Sequence, residues 1–331
     1  MRCFIAGVLI ASLPTLLYAQ TIQEFSLPTG QYAFGSSADH SRWLIKGRSP
    51  GGAIIDSSGY HELNMPDGAG AFEPFALAAS GDFIVGSGAF DVDSYQVDRP
   101  IRWTSSGVAQ TLSTDFALAR AIGVSDDGQT VLIGSPDNSG STLVRNGVAV
   151  GLLGNGISLS RDGLTYSSRR DTGTVEEFGL TTGSVYEQFA HLRPLGGAVS
   201  GDGLSAFAQR ADGTTVRLRR TSGSTTWVET PLGVPLGEAA ASPAMVNLDG
   251  GLIASQNGIW RDSTGWQSVA SLVGSPYTGA QITSVHGDGG GFFFEANGER
   301  DYEYRFAAVP EPSSLAAVGL LFALSRLRRR R

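Results

Sequence analysis

Seven aspartates recur through the chain: Asp39, Asp82, Asp127, Asp162, Asp202, Asp249 and Asp288, most of them within a Ser/Asn/His-x-Asp-Gly segment. A carboxylate can act as a general acid or base, or as a calcium ligand. Seven equivalent copies point elsewhere. A turn that every structural unit needs is repeated, whereas an active site is not. Aspartate accepts local backbone hydrogen bonds and glycine takes positive φ at no steric cost, so Asp-Gly suits a tight turn. These seven residues are therefore read as structural.

Other chemistry-bearing residues are sparse. His40, His61, His191 and His286 show neither His-x-His nor His-Glu-x-x-His spacing, so a metal site would have to be assembled by the fold. His40 and His286 occupy equivalent turn regions of the first and last copies. Asp91-Val92-Asp93-Ser94-Tyr95-Gln96-Val97-Asp98 offers oxygen ligands at alternate positions. It lacks the central glycine and terminal glutamate of a calcium loop and is read as a solvated loop. No Gly-x-Ser-x-Gly elbow occurs, and no Gly-rich phosphate loop joins a strand to a helix. Trp43, Trp103, Trp227, Trp260 and Trp266 could stack on sugars, but they fall at strand positions, where packing is the simpler role. The expectation is no catalytic residue, no metal and no cofactor.

These residues are set in a repeat. Successive aspartates are 43, 45, 35, 40, 47 and 39 residues apart, the range of four-stranded propeller blades. An apolar strand follows most copies, as in Thr130-Val131-Leu132-Ile133 and Leu204-Ser205-Ala206-Phe207. A second strand often carries Arg or Trp, as in Ile101-Arg102-Trp103 and Val216-Arg217-Leu218-Arg219. A Gly/Ser turn then leads to a last strand, as in Gly147-Val148-Ala149-Val150. The alternation and the turn residues are strand and hairpin signals. Small residues before the turns, such as Ala76-Leu77-Ala78-Ala79, fit strands crowded round an axis. The seventh copy ends half a unit before the tail, and the missing half precedes Asp39. Residues 21–27 resemble the last strand of a unit. The expected fold is all-β: a seven-bladed β-propeller closed by the N-terminal strand, which leaves no open sheet edge. Tandem β-sandwiches are the rival architecture.

Composition agrees with a chain of tight turns: 45 glycines in 331 residues, with 17% charged side chains. The one cysteine, Cys3, lies before the apolar run within the expected signal peptide (residues 1–19), so the mature chain would have no disulfide or thiolate metal site. Without Arg2 and the five tail arginines, 18 basic groups face 31 acidic ones, a charge of −13. Such a domain repels phosphate backbones and anionic membrane surfaces, so nucleic acid is not an expected partner.

Residues 1–19 read as a secretory signal. Arg2 supplies the positive start, Phe4 to Leu17 an apolar core broken by Pro14, and Ala19 a small residue before Gln20. The run is shorter than the ~20 apolar residues of a membrane span, which weighs against an anchor helix. At the other end, Val309-Pro310-Glu311-Pro312-Ser313-Ser314 precedes an apolar run from Leu315 to Leu324, then Arg326, Arg328, Arg329, Arg330 and Arg331. The arginines would stay on the cytoplasmic side. The apolar helix would lodge in the inner membrane, and the two prolines would hold the segment before it extended, open to a processing enzyme.

Pro-Glu-Pro, an apolar helix and a terminal arginine cluster, in that order, resemble the PEP-CTERM sorting domain over about the last 23 residues. The resemblance implies recognition of Val309, Pro310, Glu311 and Pro312 by an exosortase-type processing enzyme. It also implies a precursor held in the inner membrane of a Gram-negative, exopolysaccharide-producing bacterium, then delivery to the cell envelope or outside it. The same tail occurs on many unrelated exported domains, ice-binding proteins among them, so it implies an address and no activity. A plain C-terminal membrane anchor is the alternative. The repeat, x-x-Ser-x-Asp-Gly-x-x-apolar followed by apolar-x-Trp-x-x-x-Gly, resembles the HAF-type repeats of exported bacterial proteins. Asp39 lacks the glycine, Asp82 is followed by Phe83, and only the second and sixth units keep the second-strand tryptophan. The chain thus divides into a signal peptide (1–19), a propeller (20–308) and a sorting tail (309–331). Its expected role is non-catalytic, structural or binding, in association with extracellular polysaccharide. The alternative is a secreted polysaccharide hydrolase or lyase with its site at one mouth of the ring.

Overall fold

The turn sets the local geometry. In the third copy Ser125 N–H donates to the Thr130 carbonyl, and Gly128 N–H to the Ser125 carbonyl, both at 2.9 Å. Gly128 has φ +68°, and its counterparts Gly163, Gly203, Gly250 and Gly289 lie between +67° and +73°. Only glycine holds that conformation without strain. The reversal sends the chain back as an antiparallel partner, and the β-branched and aromatic residues on either side suit a pleated, half-buried surface.

The computed structural model describes residues 21–306, except 26, 28–30, 40, 48–50, 93–94, 113–118, 136–139, 152–153, 172–175, 236–244, 248 and 298–299. Each turn joins the first two strands of a four-stranded sheet, and there are seven such sheets. Blade one runs Gln31–Ser36, Trp43–Gly47, Gly52–Asp56, Gly59–Glu62, and blade two Ala69–Leu77, Phe83–Val92, Tyr95–Thr104, Ala109–Thr111. Blade three is Arg120–Val124, Thr130–Gly134, Ser141–Arg145, Val148–Gly151, and blade four Asn155–Leu159, Thr165–Asp171, Glu176–Thr182, Val185–Phe189. Blade five is Leu192–Val199, Ser205–Arg210, Thr215–Arg219, Val228–Gly233, and blade six Met245–Val246, Leu252–Ala254, Gly258–Arg261, Gly265–Ser268. Blade seven holds Gln281–Val285, Gly291–Ala296 and Arg300–Arg305, with Thr21–Phe25 next in the sheet. The protein is a seven-bladed β-propeller.

The core lies between blades. Leu44 and Ile54 of blade one meet Phe72, Ile84, Ile101 and Trp103 of blade two. Phe178 and Leu180 of blade four meet Ala206, Val216 and Leu218 of blade five. Ala33, Ile45 and Ala53 of blade one meet Phe293 of blade seven, so the first sheet packs on the last. Each Leu, Ile, Val or Phe among them contributes about 1.5–3 kcal/mol on full burial. All five tryptophans belong to these inter-blade clusters or pack against them. Trp103 is fully buried, with its ring N–H donating to the Asn64 carbonyl at 2.9 Å.

The N-terminal segment 1–19, Val309, Pro310, Glu311, Pro312 and the arginines Arg326, Arg328, Arg329, Arg330 and Arg331 lie outside the described residues. Among the described residues no helix is long and apolar enough to cross a membrane.

Candidate functional site

Six of the seven repeated aspartates occupy one point of the turn. Oδ1 of Asp39, Asp127, Asp162, Asp202, Asp249 and Asp288 accepts the backbone N–H two residues on, at 2.7–3.1 Å. In four turns the residue two before is a serine whose hydroxyl also donates to that oxygen: Ser37 at 2.7 Å, and Ser125, Ser160 and Ser200 at 2.6 Å. Asn247 does the same in blade six. These donors favour the charged carboxylate. The Ser37 hydroxyl, then Ser41, hold Asp39 at about 2. Ser125 and the Gln129 N–H lower Asp127.

Asp82 is not at this point, which corrects the sequence assignment. The blade-two turn is Ala78 to Gly81. Ala78 N–H donates to the Phe83 carbonyl at 2.8 Å, Gly81 N–H to the Ala78 carbonyl at 2.9 Å, and Gly81 has φ +78°. Ser80 stands where the other turns have aspartate, and its hydroxyl accepts the Asp82 N–H at 3.2 Å. A hydroxyl and a glycine suffice to close the turn, so the acid two residues later is released to pair with Arg42 of blade one at 2.8 Å.

The turns are tied to one another round the ring. Ala38 N–H donates to the Ala79 carbonyl at 2.8 Å, Asp126 N–H to the Arg161 carbonyl at 2.7 Å, and Arg161 N–H to the Gly201 carbonyl at 2.8 Å. Between blades two and three, Ser80 donates N–H to Asp126 Oδ1 at 2.9 Å and its hydroxyl to the Asp126 carbonyl at 3.0 Å. Arginines add a second tie. Arg42, Arg102 and Arg145 each reach the next blade and donate to the carbonyl of its positive-φ glycine, Gly81, Gly128 and Gly163. The arginine recurring at Arg102 and Arg145 was visible in the sequence. Its partner, a carbonyl 18–26 residues on, was not, and neither was the matching role of Arg42.

The first strand of every blade lines an axial channel of about 540 Å³. These strands share a further device. In blades one, two, three, four and seven the ladder skips one residue, and the skipped residues are Phe34, Phe75, Ile122, Ile157 and Thr283. Each lies five positions before the turn acid or its stand-in Ser80, and all five line the channel. A bulge leaves one residue out of the pairing and re-aims its side chain. Leu77, Val124, Leu159, Val199, Val246 and Val285 complete an apolar wall. Among the described residues lining the channel, Arg161 is the one with a titratable side chain, and it is ion-paired with Asp126. Away from the turns, Lys46 Nζ lies 5.0 Å from the ring centres of both Phe34 and Phe75 and pairs with Glu73. Arg120 lies 5.7 Å from the Phe75 ring and pairs with Asp98 at 3.0 Å.

The histidines are dispersed. His40 lies outside the described residues. His286 is buried on the Phe293 ring, with Nε2 3.3 Å from Glu303 Oε1. His191 Nε2 is 2.8 Å from Glu229, which Arg210 also engages. Burial opposes the charge of Glu229, but the bonds from His191 and Arg210 prevail and lower it. Asp56, Ser58 and His61 meet in the outer hairpin of blade one. The Ser58 hydroxyl donates to Asp56 at 2.5 Å, and His61 Nε2 is 2.7 Å from Ser58 and 3.3 Å from Asp56. A nucleophilic triad needs the acid on the other ring nitrogen and the serine proton directed at histidine, so this wiring is not one. The Asp91–Asp98 segment is not a loop. Its described residues continue a hairpin, with Asp91 opposite Gln96 and Asp98 opposite Ala89. Val92 stands opposite Tyr95 and Phe90 opposite Val97, so strand pairing continues through the described residues of the segment. Among the described residues no group of three or more His, Cys, Asp or Glu side chains is placed to hold a metal.

Solved structures with this ring are distant in sequence. The chain is similar to the β-propeller domain of Cps50 (Swd1) from Myceliophteria thermophila, at 8% identity and TM-score 0.57, covering 87% of this chain and 100% of that one. It is similar to oligogalacturonate lyase from Vibrio parahaemolyticus, at 11% identity and TM-score 0.54, covering 88% and 97%. A third likeness is to Kuenenia stuttgartiensis hydrazine synthase, at 12% identity and TM-score 0.52, covering 87% and 98%. At such identities the likeness is one of fold. No protein-family model matches the chain, and no curated protein does.

Proposed function

We propose that the protein is an exported β-propeller, sorted through a PEP-CTERM-like tail, with a non-catalytic structural or binding role at the cell envelope or in the extracellular matrix, in association with exopolysaccharide. The observation that carries the non-catalytic reading is the use of the acids. Six of the seven repeated aspartates are engaged in blade turns, and the described lining of the axial channel is largely apolar with Arg161 as its titratable group. General acid–base work needs a positioned proton donor or acceptor at the reacting group, and this lining supplies no such pair. Export and sorting rest on the order of features in residues 1–19 and 309–331. Strand Thr21–Phe25, next to Arg300–Arg305 in the seventh sheet, is assigned the closing role.

The test is expression of the full chain in a Gram-negative host with an exosortase and in the same host without it. The expected product has lost residues 1–19 in both hosts, has also lost its tail and left the membrane in the first, and is retained with its tail in the second. Retention with the tail in both overturns the sorting reading. Purified protein incubated with neutral and uronate-containing bacterial polysaccharides is expected to bind without shortening them. Measurable turnover overturns the non-catalytic reading in favour of a hydrolase or lyase. Deletion of residues 21–25 is expected to lower the melting temperature by exposing the edge of Arg300–Arg305, and an unchanged melting temperature removes the closing role.

A further inference from the structure

We infer that the axial channel is a binding site for a neutral, hydrocarbon-rich small molecule. Its volume, about 540 Å³, lies within the roughly 300–1,000 Å³ of small-molecule sites, which are mostly apolar with a few polar groups. The wall is arranged rather than incidental. Four successive blades each break their ladder to put a large apolar residue on the axis: Phe34, Phe75, Ile122 and Ile157. Blade seven makes the same bulge with the smaller Thr283. The bulges thus put large apolar side chains on the channel from blades one to four, and Val199, Met245 and Val246 line it from blades five and six.

The lining also selects the guest. A sugar needs a partner for each hydroxyl, and the described side chains of the lining offer the hydroxyls of Ser36, Ser158, Thr283 and Ser284, set among apolar residues. Ser158 Oγ is already bonded to Ser167 Oγ at 2.9 Å and to Val199 N–H at 2.8 Å. Among the described lining residues a charged ligand would meet Arg161 alone, which Asp126 already neutralises. Water in an apolar space lacks the two to four polar partners that hold it, and an apolar group that displaces loosely held water gains affinity. This inference is independent of the sorting and polysaccharide readings.

The test uses the full chain and N-phenyl-1-naphthylamine, a neutral probe whose fluorescence rises in apolar surroundings. The expected result is saturable enhancement at one probe per chain. Ile157→Trp and, from the facing side, Thr283→Phe fill the channel and are expected to weaken binding at least tenfold without changing circular dichroism or the melting temperature. Non-saturable enhancement, or a saturable signal that survives in either folded variant, overturns the proposal. Should neither variant fold, methyl NMR of the unaltered chain decides. Probe-induced shifts at Ile122, Ile157 and Val285 support the site, and shifts confined to other methyl groups overturn it.

Discussion

Blades three and seven close the same turn with different chemistry. In blade three the first turn residue is Ser125, whose buried hydroxyl accepts Thr130 N–H at 2.9 Å and donates to Asp127 at 2.6 Å. In blade seven that residue is His286. The backbone is unchanged: His286 N–H donates to the Gly291 carbonyl, Gly289 N–H to the His286 carbonyl, both at 3.0 Å, and Gly289 has φ +73°. The imidazole turns into the blade instead, onto Phe293 and beside Glu303 of the strand Arg300–Arg305. Room for it comes from Gly291, which stands where blade three has Thr130. The backbone of the turn is thus the same in the two blades. The first side chain either completes the turn locally or joins the turn to the rest of its sheet.

The largest expected effect is at Gly291. A Cβ there would lie 2.1 Å from the Tyr304 carbonyl oxygen and 3.1 Å from the His286 ring. Gly291→Ala is expected to cost about 3 kcal/mol, the upper end of overpacking, measured by denaturant unfolding. A loss no greater than that of a surface change would mean that the blade-seven turn has slack. Next is His286→Ser, which restores the residue of blade three. It removes a buried ring from a packed site and is expected to cost about 2 kcal/mol. A neutral outcome would show that the imidazole only fills a turn position. Third is Ser125→Ala, which leaves the buried Thr130 N–H without its acceptor and is expected to cost about 1–2 kcal/mol. Equal losses for Ser125→Ala and His286→Ser would erase the contrast between the two blades.

Much of the ring was legible in the sequence because the turn is local. Asp, the residue two before it and the glycine after it are close neighbours in the chain, so their spacing marks each blade. The motif is misleading in blade two, where Ser80 does the work of an aspartate and Asp82, two residues later, pairs with Arg42. The channel was harder to read. That Phe34, Phe75, Ile122 and Ile157 share one wall depends on a skipped pairing in each ladder, and register is set by partners in another strand. The pairing of His286 with Glu303 and of Arg145 with the Gly163 carbonyl was hidden for the same reason: each joins residues about 17–18 positions apart through the fold.

The smallest effect concerns the hydroxyl itself. Asp39 in blade one is held at about 2, first by the Ser37 hydroxyl and then by Ser41. The ordinary value is near 3.8. A carboxylate whose folded value is depressed contributes stability that is present above the unfolded value and lost as pH falls through the folded one. The contribution of Asp39 therefore disappears between about pH 4 and pH 2. Ser37→Ala removes the largest of the lowering interactions but leaves the Ser41 N–H and hydroxyl, 3.1 and 2.8 Å from Asp39 Oδ1. The Asp39 midpoint, followed by carboxyl-carbon NMR, is expected to rise toward the ordinary value without reaching it. A midpoint still near 2 would mean that Ser41 alone, through its N–H and hydroxyl, sets the charge state. The serine of the repeat would then serve the buried strand behind it, as Ser125 serves Thr130, and not the acid in front.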